Sequence, residues 1–80
     1  VEEQASQIMQ NLESILSEVG ANLQNALKAT IFLTDLGNFA AVNKIYGDAF
    51  NGVYPARSCI EVSKLPAGAA VEIELIAELP

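Results

Sequence analysis

Leu27-Lys28-Ala29-Thr30-Ile31-Phe32-Leu33-Thr34 is the stretch on which the fold turns. β-Branched and aromatic residues crowd into these positions, and Leu27, Ala29, Ile31 and Leu33 share one face at period two. The alternation predicts a strand with one apolar side, which needs a covering layer. Asp35-Leu36-Gly37-Asn38 breaks the strand, and Asn38 is placed to cap a helix. Upstream, Val1, Ala5, Ile8, Leu12, Ile15 and Val19 recur every three or four positions, with Met9 and Leu16 widening the stripe. Glu2, Glu3, Glu13 and Glu18 fall off it, as a solvated face does. This predicts a helix stopped at Gly20, where a left-handed conformation costs glycine nothing, and a short turn over residues 22–25.

Downstream, Phe39, Val42, Tyr46 and Ala49/Phe50 form the apolar face of a second helix, with Gly47 inside it at about 1 kcal/mol relative to alanine. Asn51-Gly52 ends that helix, and Pro55 forbids its continuation. Residues 56–63 (ARSCIEVS) alternate: Ser58, Ile60 and Val62 point one way, and Arg57, Cys59, Glu61 and Ser63 the other. Residues 64–69, with Pro66 and Gly68, read as a loop. Residues 71–77 (VEIELIA) read as a third strand with Val71, Ile73, Leu75 and Ala77 facing the core and Glu72 and Glu74 opposite. The order helix, strand, helix, strand, strand predicts an α+β domain with both helices on one face of the sheet. There are no internal repeats, linkers or low-complexity tracts.

Eighty residues allow one small domain. Apolar residues make up 51% of the chain, but a chain this short buries only about 60–65% of its unfolded surface. With no histidine and a single cysteine, Cys59, there is no internal disulfide and no Cys/His zinc site, so self-association is the expected stabiliser. Ten acidic residues against four basic ones give a net charge of −6, which opposes nucleic-acid binding. No apolar run approaches the roughly 18 residues of a membrane span and no signal-peptide pattern opens the chain, so a cytoplasmic protein without a membrane partner is expected.

Few residues are equipped for chemistry. Arg57, the chain's one arginine, lies in a strand directly after Tyr54-Pro55-Ala56, and a rigid guanidinium there suits a bidentate carboxylate clamp. Cys59 shares its face, and Glu72 approaches that face if the last two strands pair as neighbours. A cation for a carboxylate beside an acid for proton transfer suits hydrolysis of a small acid. The plainer alternative is that Arg57 pairs with Glu61 or Glu72 as a cross-strand ion pair. Without a histidine to activate it, Cys59 reads as a small buried hydrophobe, Asn43 as an exposed polar residue, and Tyr46 and Phe50 as core.

Four motifs in order carry a resemblance over the whole chain. Lys28-Ala29-Thr30-Ile31-Phe32-Leu33-Thr34-Asp35-Leu36 is similar to the strand K-x-T-V-F-L-x-D-hydrophobic, and Phe39-Ala40-Ala41-Val42-Asn43-Lys44-Ile45-Tyr46 to the helix F-A-x-V-N-x-V-Y. Pro55-Ala56-Arg57-Ser58-Cys59-Ile60-Glu61-Val62 resembles P-A-R-S-C-V-E-V, and Lys64-Leu65-Pro66 with Val71-Glu72-Ile73-Glu74 resembles the closing motif. Together they resemble the RidA (reactive intermediate deaminase A, YjgF-like) family.

The resemblance implies a chorismate-mutase-like α+β fold, a homotrimer with pockets at subunit contacts, and no metal or organic cofactor. It implies hydrolysis of enamines and imines such as 2-iminobutanoate and 2-iminopropanoate to 2-oxoacids and ammonia. Arg57 would bind the substrate carboxylate, Glu72 would orient the attacking water, Cys59 would line the pocket and Asn43 would help close it. Residues 1–80 then form a single RidA-like domain lacking the N-terminal strands, pocket tyrosine and serine of a typical member. The alternative is a non-catalytic ligand-binding or regulatory trimer on the same scaffold, which needs Arg57 but not Glu72. Ribonuclease or translation-inhibiting activity, also attached to this family, is opposed by the −6 charge and the lack of histidine.

Overall fold

The alternation at residues 27–34 produces β1 (Ala26–Leu33), on which the sheet is built. In the computed structural model, which describes residues 1–80, β1 lies between β2 (Ala56–Glu61) and β3 (Val71–Ala77). It runs parallel to β2 and antiparallel to β3. Ala29, Ile31 and Leu33 of β1 are wholly buried, while Lys28 on the other face is exposed. Leu27, expected on the buried face, is exposed because an irregularity in the β1–β3 pairing between Ala26 and Lys28 interrupts the alternation there.

Two helices cover the buried face. In α1 (Glu2–Glu18) the buried residues are Ala5, Met9 and Leu16, with Ile8 and Leu12 packed at the margin. Ile15 and Val19, expected in the stripe, are 61% and 55% exposed: eight apolar residues make a band wider than three strands and one neighbouring helix can cover. Gly20, at φ +74°, follows the helix as a left-handed terminator. Residues 22–25 close into a 3₁₀ turn (Leu23–Asn25) whose side chains cap it reciprocally through Asn22 and Asn25.

In α2 (Phe39–Phe50), Val42, Tyr46 and Phe50 are buried in the same core as Ile31, Leu33 and Ile73. Asn38 occupies the cap position but makes no side-chain cap bond. That duty moves upstream to Asp35, whose carboxylate accepts from the Gly37 N–H at 2.8 Å and starts a 3₁₀ turn (Leu36–Asn38) leading into α2. A left-handed Asn51 ends the helix. β2 stops at Glu61 instead of residue 63, although the Val62 N–H still donates to the Leu33 carbonyl at 2.8 Å. The 64–69 loop holds a further 3₁₀ turn, Pro66–Gly68. No helix is long and apolar enough to cross a membrane.

The register fixes which side chains meet. Directly paired residues point to the same side of a sheet. Ile31 pairs with Cys59 and Ile73, and Ala29 with Arg57 and Leu75, so Arg57 and Cys59 lie on the helix-covered side. Phe32 pairs with Ile60 and Glu72, which therefore lie on the uncovered side.

Candidate active site

Strand β2 delivers Arg57 to the sheet's edge, beside α2. There the guanidinium lies over two rings of that helix, with its carbon 5.3 Å from the Phe39 centroid and 5.2 Å from that of Tyr46. Its Nη1 donates to the Asn43 side-chain carbonyl. Phe39, Asn43 and Tyr46 are spaced i, i+4, i+7, so successive turns of one helix present them along one line. The arginine makes no ion pair; the one salt bridge in the molecule is the exposed Lys44–Asp48 pair at 3.1 Å.

An open cavity of about 380 Å³ lies beside this guanidinium, lined by Asn43, Tyr46, Gly47, Tyr54, Pro55 and Arg57. Gly47 gives it width: a β-carbon there would come within 3.9 Å of the Tyr54 ring. Tyr46 is 2% exposed and packs on Phe50 with centroids 4.7 Å apart, and its buried hydroxyl has no hydrogen-bond partner. Burial pushes the Tyr46 phenol above its ordinary pKa, with the Arg57 charge pulling weakly the other way. The same two influences act in the same order on Cys59, so its half-buried thiol is held protonated more firmly than a free one.

The structure gathers some of the expected residues and separates others. Arg57 and Asn43 are in direct contact, so Asn43 is an engaged partner rather than the free polar residue that its place off the apolar stripe suggests. Cys59 is packed against the core and does not line the cavity. Neither expected ion pair forms. Glu61 instead accepts from the Leu36 N–H at 2.9 Å, tying β2 to the approach to α2. The last two strands are not neighbours, since β1 runs between them, and Glu72 stands exposed on the uncovered face. Within one chain Glu72 therefore does not reach Arg57's site. Residue patterning also missed Phe39, Tyr46, Gly47 and Tyr54 as parts of the site. The available signal was the i, i+4, i+7 line, whose aromatic members Phe39 and Tyr46 read as core and whose middle member Asn43 reads as an exposed polar residue.

The family model described as Endoribonuclease L-PSP matches residues 1–79. A RutC family protein of Synechocystis, slr0709, is 49% identical over all of this chain and 62% of its own length. The 2-iminobutanoate/2-iminopropanoate deaminase of mouse is 44% identical over 96% of this chain and 57% of its own. Among solved structures, an L-PSP protein of Entamoeba histolytica superimposes with a TM-score of 0.96 at 43% identity, covering 99% of this chain and 63% of that one. TdcF of E. coli, solved with bound serine, does so at 0.89 and 37%, covering 95% of this chain and 62% of that one. A three-stranded mixed sheet carrying two helices on one face is the YjgF/L-PSP type of domain. The chain belongs to the YjgF/L-PSP (RutC/RidA) family and spans somewhat less than two thirds of the length of these relatives.

Proposed function

We propose that the protein hydrolyses small 2-imino acids, such as 2-iminobutanoate and 2-iminopropanoate, and their enamine tautomers, to 2-oxoacids and ammonia. The observation that carries this is the Arg57 guanidinium, which borders an open cavity and has no carboxylate partner of its own. The name of the mouse relative supports the substrate class. Arg57 clamps the substrate carboxylate and so holds the imine carbon in place. Water oriented by Glu72 adds to that carbon, and nitrogen leaves as ammonia when the carbinolamine collapses to the ketone. The imine carbon is already electrophilic, so acid–base help of about 10²–10⁴-fold suffices and no covalent nucleophile is required. Cys59, with its thiol held protonated, contributes packing near the arginine.

Because Glu72 lies on the uncovered face, the complete site draws Arg57 from one chain and Glu72 from another, in a homotrimer with its pockets at the subunit contacts. That the ligand anchor stands in one chain without the acid favours a second reading, a non-catalytic trimer that binds a small carboxylate. The endoribonuclease description of the family finds no physical support in a chain of net charge −6.

Ammonia release from enzymatically generated 2-iminobutanoate, measured on the chain extended to its relatives' length, tests the reading. Arg57→Ala is expected to abolish turnover, through loss of an anchor worth about 1.5–3 kcal/mol and misplacement of the carbon. Glu72→Gln should lower turnover more than binding, and Cys59→Ser should keep most activity. Binding of 2-oxobutanoate without any deamination would establish the non-catalytic reading instead.

A further inference from the structure

We infer that Asn43, with the rings of Phe39 and Tyr46, is a positioning set that immobilises Arg57 while leaving its charge whole for an anionic ligand. The inference rests on the reading of Arg57 as a carboxylate anchor and deepens it. Arg57 is an exposed residue on an edge strand, which would ordinarily sample many rotamers. Here the guanidinium is seated over two rings at 5.2 and 5.3 Å and tethered through Nη1 by a neutral carbonyl. One of its five N–H groups is spent on Asn43, and the others stay available to the cavity.

The charges around it are arranged to the same end. Glu61, on Arg57's own strand face, is occupied by the Leu36 N–H, and Glu72 and Glu74 project from the opposite face. In a chain of net charge −6 the one arginine thus escapes every carboxylate. An aspartate at position 43 would have nearly the same shape and would hold the guanidinium more tightly, but it would cancel the charge that the ligand needs. Tyr54 and Pro55 wall the cavity and Gly47 leaves space beside Tyr54, so a small carboxylate has room next to the guanidinium.

Arg57 is the chain's only arginine, so its guanidinium gives one unambiguous set of nitrogen signals by NMR. In the unmodified chain, hindered rotation should keep the two Nη groups distinct. Asn43→Ala should merge them and weaken binding of 2-oxobutanoate about tenfold, the effect of losing one hydrogen bond to a charged group. Asn43→Asp should keep the Nη groups distinct yet weaken 2-oxobutanoate at least as much, which a purely structural role for residue 43 does not produce. Being nearly isosteric, it also serves if the alanine variant fails to fold. Nη signals unchanged by Asn43→Ala, or full affinity in Asn43→Asp, would overturn the inference. Should the unmodified chain bind no 2-oxobutanoate while Asn43→Ala still frees the guanidinium, positioning stands and the carboxylate reading fails.

Discussion

Tyr46 shows how much a single residue of this site is asked to do. Its ring fills the core against Phe50 and supports the Arg57 guanidinium from below, yet its hydroxyl is buried with nothing to bond. An unsatisfied buried polar group costs about 1–3 kcal/mol, so Tyr46→Phe keeps the platform and removes the penalty. Urea unfolding of this variant at pH 7 should show stability unchanged or raised by up to about 1 kcal/mol. Alkaline titration gives a second signature. The phenol's pKa is raised in the folded state, so its contribution is complete below the ordinary value of 10.0 and is lost as pH rises through the folded value. The Cys59 thiol adds the same sign of dependence, beginning at its ordinary value of 9.0. The unmodified chain should therefore lose stability above pH 9, and Tyr46→Phe should lose less of it. A phenylalanine variant destabilised by more than 1 kcal/mol at pH 7 would mean that the hydroxyl is in fact bonded.

At the scale of elements, α2 trades helix stability for room. Gly47 sits in the interior of a helix, where it is about 1 kcal/mol less favourable than alanine. The Cβ of Gly47→Ala would meet only the Tyr54 ring, at an ordinary contact distance of 3.9 Å. Thermal unfolding should thus show Gly47→Ala stabilised by about 0.5–1 kcal/mol, while the narrower cavity binds 2-oxobutanoate less well. Gain of stability with unchanged binding would show that this wall is not used. The elements themselves were largely legible, because period two and period 3.6 are local properties of a chain. Residues 71–77 form β3 as expected, and Gly20 stops α1. Phase was harder to read: which part of α1's broad apolar band is buried depends on what it packs against, so Ile15 and Val19 were misplaced. Strand order was out of reach for a related reason. Alternation in residues 56–63 and 71–77 is the same whether those strands pair with each other or each with β1, and the choice belongs to the crossover through α2.

On the scale of the whole molecule, that strand order decides how the site can be assembled. Arg57 stood out in the sequence because it is the one arginine in an acidic chain and follows Tyr54-Pro55-Ala56 in a strand. Its cradle was hidden, since an aromatic at helical spacing looks the same whether it fills a core or supports a guanidinium. The separation of Arg57 and Glu72 then follows from register alone: β1 carries Ala29 beside the first and Phe32 beside the second, on opposite faces. The uncovered face that holds Glu72 also bears Ile60 and Ile76, 46% and 63% exposed, and the partly buried Phe32. In the proposed trimer, that face would supply the contact between copies. If neighbouring chains share each site, a chain lacking Arg57 and a chain lacking Glu72 carry complementary defects. In the chain extended to its relatives' length, Arg57→Ala, without turnover alone, and Glu72→Gln, with lowered turnover alone, should exceed the mean of their separate rates when unfolded together and refolded as mixed trimers. Random assortment places an intact arginine opposite an intact glutamate in roughly a quarter of the sites, so those sites alone should release ammonia at about that fraction of the unmodified rate. Sites confined within single chains would leave the mixture at the mean of its components, whatever its oligomeric state.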